Sequence, residues 1–169
     1  MNEANFLRGG ALDLNLGKHI DFLAFASQRK IDANTITVFN DSLMIDEDLP
    51  QFSSLQISGL HRTPSEIADK NSTIKKTLGL STGINKRDFS FNLNFVYNSF
   101  DQEAASGDQL YEQFDFKGDE LLNLGADYSY VLKNFHFFGE TAVSDNRSFA
   151  TTNGLMVSLD RNLDIAILH

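Results

Sequence analysis

The chain has no cysteine, which excludes disulfides and thiolate-held metals. It has only two prolines, Pro50 and Pro64, and both fall in stretches that read as loop. No apolar run approaches the roughly 20 residues of a membrane-crossing helix. Basic residues are few: 14 Lys and Arg stand against 23 Asp and Glu, for a formal net charge of −9. Such a balance argues against a nucleic-acid footprint. The first residues, Met1-Asn2-Glu3-Ala4-Asn5, lack the basic and apolar regions of a signal peptide. Four histidines, His19, His61, His136 and His169, are scattered without metal-ligand spacing. The glycines form no phosphate-binding loop, and those inside strands suit bends and close packing.

What the chain does have is alternation. In Phe89-Ser90-Phe91-Asn92-Leu93-Asn94-Phe95-Val96-Tyr97-Asn98 the odd positions are large and apolar, and the even ones are small or polar apart from Val96. A period of two over ten residues is the length of a tilted strand crossing a bilayer. The pattern recurs, predicting strands over about 9–16, 19–30, 73–85, 88–100, 119–132, 135–144, 150–160 and 163–169. Leu12, Leu14 and Leu16 oppose Asp13 and Asn15. Leu122, Leu124, Tyr128 and Tyr130 oppose Asn123, Gly125, Asp127 and Ser129. Segment 19–30 is the least regular, because Phe22, Leu23 and Phe25 occupy both faces, so a bulge or two-sided burial is expected.

The connections alternate in length. Gly17-Lys18, Asn85-Lys86-Arg87-Asp88, Lys133-Asn134 and Asp160-Arg161-Asn162 are tight and rich in turn formers. The links at 31–72, 101–118 and 145–149 are longer, the rhythm of short periplasmic turns and long external loops. Within 31–72, Ser54–Leu60 reads as a short strand or a segment over the barrel mouth. Thr63-Pro64-Ser65-Glu66 reads as a capping box opening a short helix to about Lys70. The expected fold is therefore all-β, an antiparallel up-and-down meander of about eight strands forming all or part of an outer-membrane-type β-barrel. A long, partly helical loop spans 31–72.

Two orientations fit this pattern. In a soluble barrel or sandwich the Leu, Phe and Tyr face is the core, and the other face normally carries many Lys, Glu and Arg residues. Here that other face holds Ser, Asn, Gly, Thr and Ala, while charge gathers in the loops. Rings also cluster beside tight turns, at Phe89, Phe91, Tyr128, Tyr130, Phe135 and Phe137, as in an interfacial girdle. These features favour an apolar exterior in lipid. A soluble all-β barrel holding a hydrophobic ligand is the alternative. Phe91, Phe95, Leu124 and Phe137 should point one way, and Asn92, Asn94 and Asp127 the other.

Few residues suggest chemistry. His61, Ser65 and Glu66 invite a Ser/His/Glu hydrolase reading, but no nucleophile-elbow motif surrounds Ser65. Thr63 and Glu66 read more simply as a helix cap. Glu140 and His136 share the polar face with Asp127, Asn92 and Asn94 as candidate lumen residues. Glu140 reads as a carboxylate paired with a base such as Arg29 or Lys75, or as a proton-labile contact. Asp46-Glu47-Asp48 lacks calcium-loop spacing and reads as solvated surface. No catalytic residue, metal or cofactor is expected.

Several phrases resemble the β-barrel region of the helix-hairpin-helix domain-containing outer-membrane proteins of Bacteroidetes-type, Gram-negative bacteria. They are Ser54-Leu55-Gln56, Gly59-Leu60-His61-Arg62-Thr63, Ser65-Glu66, Asp127-Tyr128-Ser129-Tyr130, Lys133-Asn134-Phe135-His136-Phe137-Phe138-Gly139-Glu140 and Asn153-Gly154-Leu155. The resemblance runs over most of the chain and carries no catalytic motif. It implies an outer-membrane location and lipid as the partner. It also implies that residues 1–169 are one partial barrel domain, an internal fragment of a longer protein with a signal peptide and a helical module. That module is not in this sequence, so no nucleic-acid binding is expected through this segment.

Overall fold

The computed structural model describes residues 6–38, 49–56, 59–105, 116–145 and 147–169. Nine strands account for most of them: β1 (Gly9–Leu16), β2 (Ile20–Val38), β3 (Leu49–Gln56), β4 (Thr73–Lys86), β5 (Phe89–Ala104), β6 (Gly118–Leu132), β7 (Phe135–Ser144), β8 (Phe149–Asp160) and β9 (Leu163–Leu168). One helix, α1 (Pro64–Ala68), lies between β3 and β4. The protein is nearly all β, in one sheet that includes a barrel. Among the described residues no helix is long and apolar enough to cross a membrane, which says nothing of a β-barrel.

The tight turns are where turn chemistry puts them. Gly17 at φ 79° opens the β1–β2 turn, and Lys133 at φ 53° opens Lys133-Asn134 between β6 and β7. In the two-residue turn Lys133-Asn134, a positive φ at the first central residue is what a hairpin of the strand-compatible hand needs. The Asn134 side chain then donates to the Ser158 carbonyl at 3.0 Å, tying the turn to β8.

The 31–72 segment departs from expectation. It is not one loop, because β2 runs on to Val38 and β3 forms at Leu49–Gln56. The helical part is five residues long. Thr35-Ile36-Thr37-Val38 is an unbroken β-branched run, which favours extended backbone. It pairs antiparallel with β3, Thr35 opposite Phe52 and Thr37 opposite Pro50, with a bulge between Asn34 and Thr35. Pro50 is therefore in a strand, near its start, where a missing N–H is tolerated. β5 likewise extends to Ala104 and meets β3 in parallel, Gln51 opposite Glu103. Residues 46–48 and the acidic Asp108 and Glu112 lie outside the described residues.

Two compact units can be told apart. One comprises residues 1–9, 27–77 and 98–121. In it β2, β3, β5 and β4 pair in a closed circuit. Its core is small: Ile31, Ala33, Phe52 and Phe100 are buried, with Phe116 packed against them. The Phe52 and Phe100 rings are 5.3 Å apart, and Phe100 and Phe116 5.7 Å.

The other comprises residues 10–26, 78–97 and 122–169. Here β6–β7, β7–β8 and β8–β9 pair antiparallel in sequence. Its large apolar side chains do not form a core. Leu12, Leu80, Leu93, Leu124, Tyr130, Phe137 and Ile165 are among many that are exposed. The opposite face is the better covered one, and its polar groups bond to each other. Asn92 and Asn94 both donate to the Asp127 carboxylate, so these three share a face. Strand alternation sends Phe91, Leu93 and Leu124 to the other side. Segment 19–30 is two-sided: Phe22 joins the apolar face, while Phe25 covers Gly79 on the polar one.

Candidate functional site

Asp127 organises the polar face. Its Oδ2 accepts from Asn92 Nδ2 at 2.7 Å and its Oδ1 from Asn94 Nδ2 at 3.0 Å. Asn94 Oδ1 accepts in turn from Ser81 Oγ at 2.7 Å. Asn92 fits because Gly83 has no side chain; a Cβ there would collide with the Asn92 amide. A carboxylate taking two amide donors is held in place without a countercharge.

Glu140 stands opposite Asp127 in the β6–β7 register and opposite Thr152 in β7–β8. Cross-strand partners share a face, so its cross-strand neighbours are a carboxylate and a hydroxyl. The pair makes this stretch electronegative. His136 Nε2 lies 2.8 Å from Ser129 Oγ, and its ring is 5.1 Å from that of Phe138.

The apolar face carries its own features. Phe89 and Tyr130 meet edge to face at 6.3 Å, and Phe135 stacks with Phe137 at 6.3 Å. These exposed rings flank two tight turns. Farther along, Phe22, Leu80, Leu93, Phe95, Leu124 and Val143 wall a shallow groove of about 520 Å³. Beside it runs a polar seam: Tyr128 Oη donates to Asn153 Oδ1 at 3.0 Å and Asn153 Nδ2 to Thr151 Oγ1 at 3.1 Å. Thr151 and Thr141 hydroxyls close the seam at 3.1 Å. Its polar atoms are satisfied among themselves.

In the first unit, a strap from His61 to Ser72 is fastened to β2 at Asp32 and Ala33. Asp32 is 3 % exposed; its Oδ2 lies 2.7 Å from His61 Nε2, and its Oδ1 accepts from the Asn71 amide at 2.8 Å. Asp69 accepts from Gln56 Nε2 at 2.8 Å, and its carbonyl accepts from the Ala33 amide. Ser72 Oγ both donates to and accepts from Ala33 backbone groups. Sequence reasoning passed over Asp32 and Asp69. The one local signal was a carboxylate between Ile31 and Ala33, where an unpartnered charge would be costly.

Thr63 and Glu66 sit where helix-cap chemistry puts them. Thr63 Oγ1 accepts from the Glu66 amide at 3.3 Å, and Glu66 Oε2 accepts from the Arg62 and Thr63 amides at 2.7 and 3.1 Å. Those two backbone donors, Arg62 first, hold the exposed Glu66 carboxyl below its ordinary value of 4.5. The hydrolase set is not assembled: His61 Nε2 is turned to Asp32, and Ser65 Oγ lies 3.0 Å from the Thr63 hydroxyl.

Comparison with known protein families, with curated proteins and with solved structures gave no match.

Proposed function

We propose that this chain is a non-enzymatic segment of a bacterial outer-membrane β-barrel, contributing to a pore, a transport or secretion accessory, or a membrane anchor. The observation that carries the proposal is the inverted distribution of the sheet: exposed Leu, Phe and Tyr on one face, and mutually bonded Asn, Asp and Ser on the other. In water, leaving so many large side chains exposed forgoes roughly 1.5–3 kcal/mol each. In a bilayer the same face is at rest and the polar groups are shielded in a lumen.

Strand lengths support the reading. β4 to β8 have 14, 16, 15, 10 and 12 residues, enough for the 9–11 of a tilted crossing. Paired in sequence and joined by alternately short and long links, they suit an outer-membrane meander. The rings beside the tight turns would sit at one interface and lipid would be the partner of the apolar face. Asn92, Asn94, Asp127, His136 and Glu140 would line the lumen.

The test is refolding of the full chain from urea into phosphatidylcholine vesicles. Protease-resistant β-structure that forms only with vesicles or detergent is expected. A folded, monomeric protein in plain buffer would sink the proposal and favour the soluble, ligand-holding barrel.

A further inference from the structure

The groove on the apolar face is long and narrow. Its walls come from five neighbouring strands of the second unit, β2, β4, β5, β6 and β7. Four strand spacings of about 4.8 Å make it ~19 Å long. Each strand gives it at most two side chains of this face, two positions apart, so its breadth is ~7 Å. In β6 and β7 these are the opposed pairs Leu124–Val143 and Ala126–Thr141. One edge is therefore built from large side chains and the other from small ones. The volume, about 520 Å³, falls within the roughly 300–1,000 Å³ of small-molecule sites.

The lining also says what does not fit. Among the described residues no charged side chain lines the groove. Asn94 reaches it only through its backbone, because its side chain is bonded to Ser81 and Asp127 on the opposite face. Thr141, at one end, is bonded to the Thr151 hydroxyl. A charged head placed here would lose its water without gaining a partner. The floor is not flat either. Leu93 on β5 stands half-exposed between the strand of Thr82 and that of Ala126. A flexible chain can bend around such a side chain, whereas a rigid ring system cannot.

We propose that this groove seats one straight hydrocarbon chain of a membrane lipid, lying across the strands from Phe22 to Val143 with its headgroup outside. An extended palmitoyl chain matches the length, and a slot this narrow has no room for methyl branches. Lipid is at hand because the apolar face meets the bilayer, so the site rests on the function proposed above. It adds a fixed seat for one chain to a face otherwise bathed by exchanging lipid.

The experiment is native mass spectrometry of the full chain released from octyl glucoside micelles doped with one lipid at a time. The lipids are dipalmitoyl phosphatidylcholine, its methyl-branched diphytanoyl counterpart with the same headgroup, and cholesterol. One dipalmitoyl lipid retained per chain, saturating with dose, is expected. The branched lipid and cholesterol should be held at least about fivefold more weakly, the effect of extra carbon forced into a packed slot. Ala126→Trp fills the groove from its floor and should weaken retention by about tenfold or more. Leu132→Trp, at the far end of β6, should not change it. No saturable retention, equal retention of the three lipids, or wild-type retention in Ala126→Trp would overturn the seat. If Ala126→Trp fails to fold, the contrast among the three lipids on the wild-type chain decides alone. A chain that folds only with vesicles yet holds the three lipids alike would lose this site and keep its place in the membrane.

Discussion

Placing an arginine on the exposed apolar face separates lipid from water more sharply than any truncation. Leu93 is the residue to change. It is 49 % exposed, so in water Leu93→Arg removes little burial, and a surface change of this kind stays within about 0.5 kcal/mol. In a bilayer the outcome depends on depth. Leu93 lies four residues beyond Phe89, at the start of β5. At about 3.3 Å per residue that is ~13 Å along the strand, or ~10 Å of depth at a tilt near 40°. The apolar band of such barrels is about 25 Å tall, so Leu93 falls near its middle, where arginine costs about 2–4 kcal/mol. Leu132, the last residue of β6, is at the rim by the same measure, and Leu132→Arg should cost at most about 1 kcal/mol. Urea-driven unfolding from vesicles measures both. A Leu93→Arg penalty under about 0.5 kcal/mol, or one equal to that of Leu132→Arg, would refute the lipid-facing assignment.

Other expectations concern the polar groups. Asp127→Ala strips Asn92 and Asn94 of their acceptor and should destabilise by about 1.5–3 kcal/mol, the range for hydrogen bonds to charge; equilibrium unfolding reads it. Gly83→Val should be worse tolerated than Gly125→Val, because only the first drives a side chain into the amide of Asn92; comparing unfolding midpoints checks this. Thr63→Ala removes the helix cap and should cost about 1 kcal/mol of local stability, seen as faster amide exchange at Glu66. Glu66 has a depressed folded-state pKa, so its contribution is fully present above 4.5. It fades as pH falls through the lower folded value. Protection of the Arg62 and Thr63 amides should therefore be flat above about pH 5 and decline in more acidic buffer; unchanged protection down to pH 3 would contradict the cap.

The eight alternating segments were readable because side-chain direction in a strand depends only on parity. Their observed ends fall within a few residues of expectation, except where β2 and β5 continue into β-branched or mixed stretches that resembled loop. The helix cap was readable too, since its donors and acceptors lie within four residues. Asp127 was readable as a polar-face residue, though not as the acceptor for two asparagines more than thirty positions away. Glu140 shows the limit: its neighbours are set by the β6–β7 register, and no local pattern in β7 contains that register.

By itself, then, the sequence determined the eight alternating strands, their tight turns and the chemical identity of each face, because all three are encoded at short range. Tertiary structure decided which face is left exposed. It also decided that β3 closes a circuit with β2, β4 and β5, and that Asp32 meets His61, 29 positions away. Those outcomes depend on strand pairing and on the desolvation of charges brought together from distant parts of the chain.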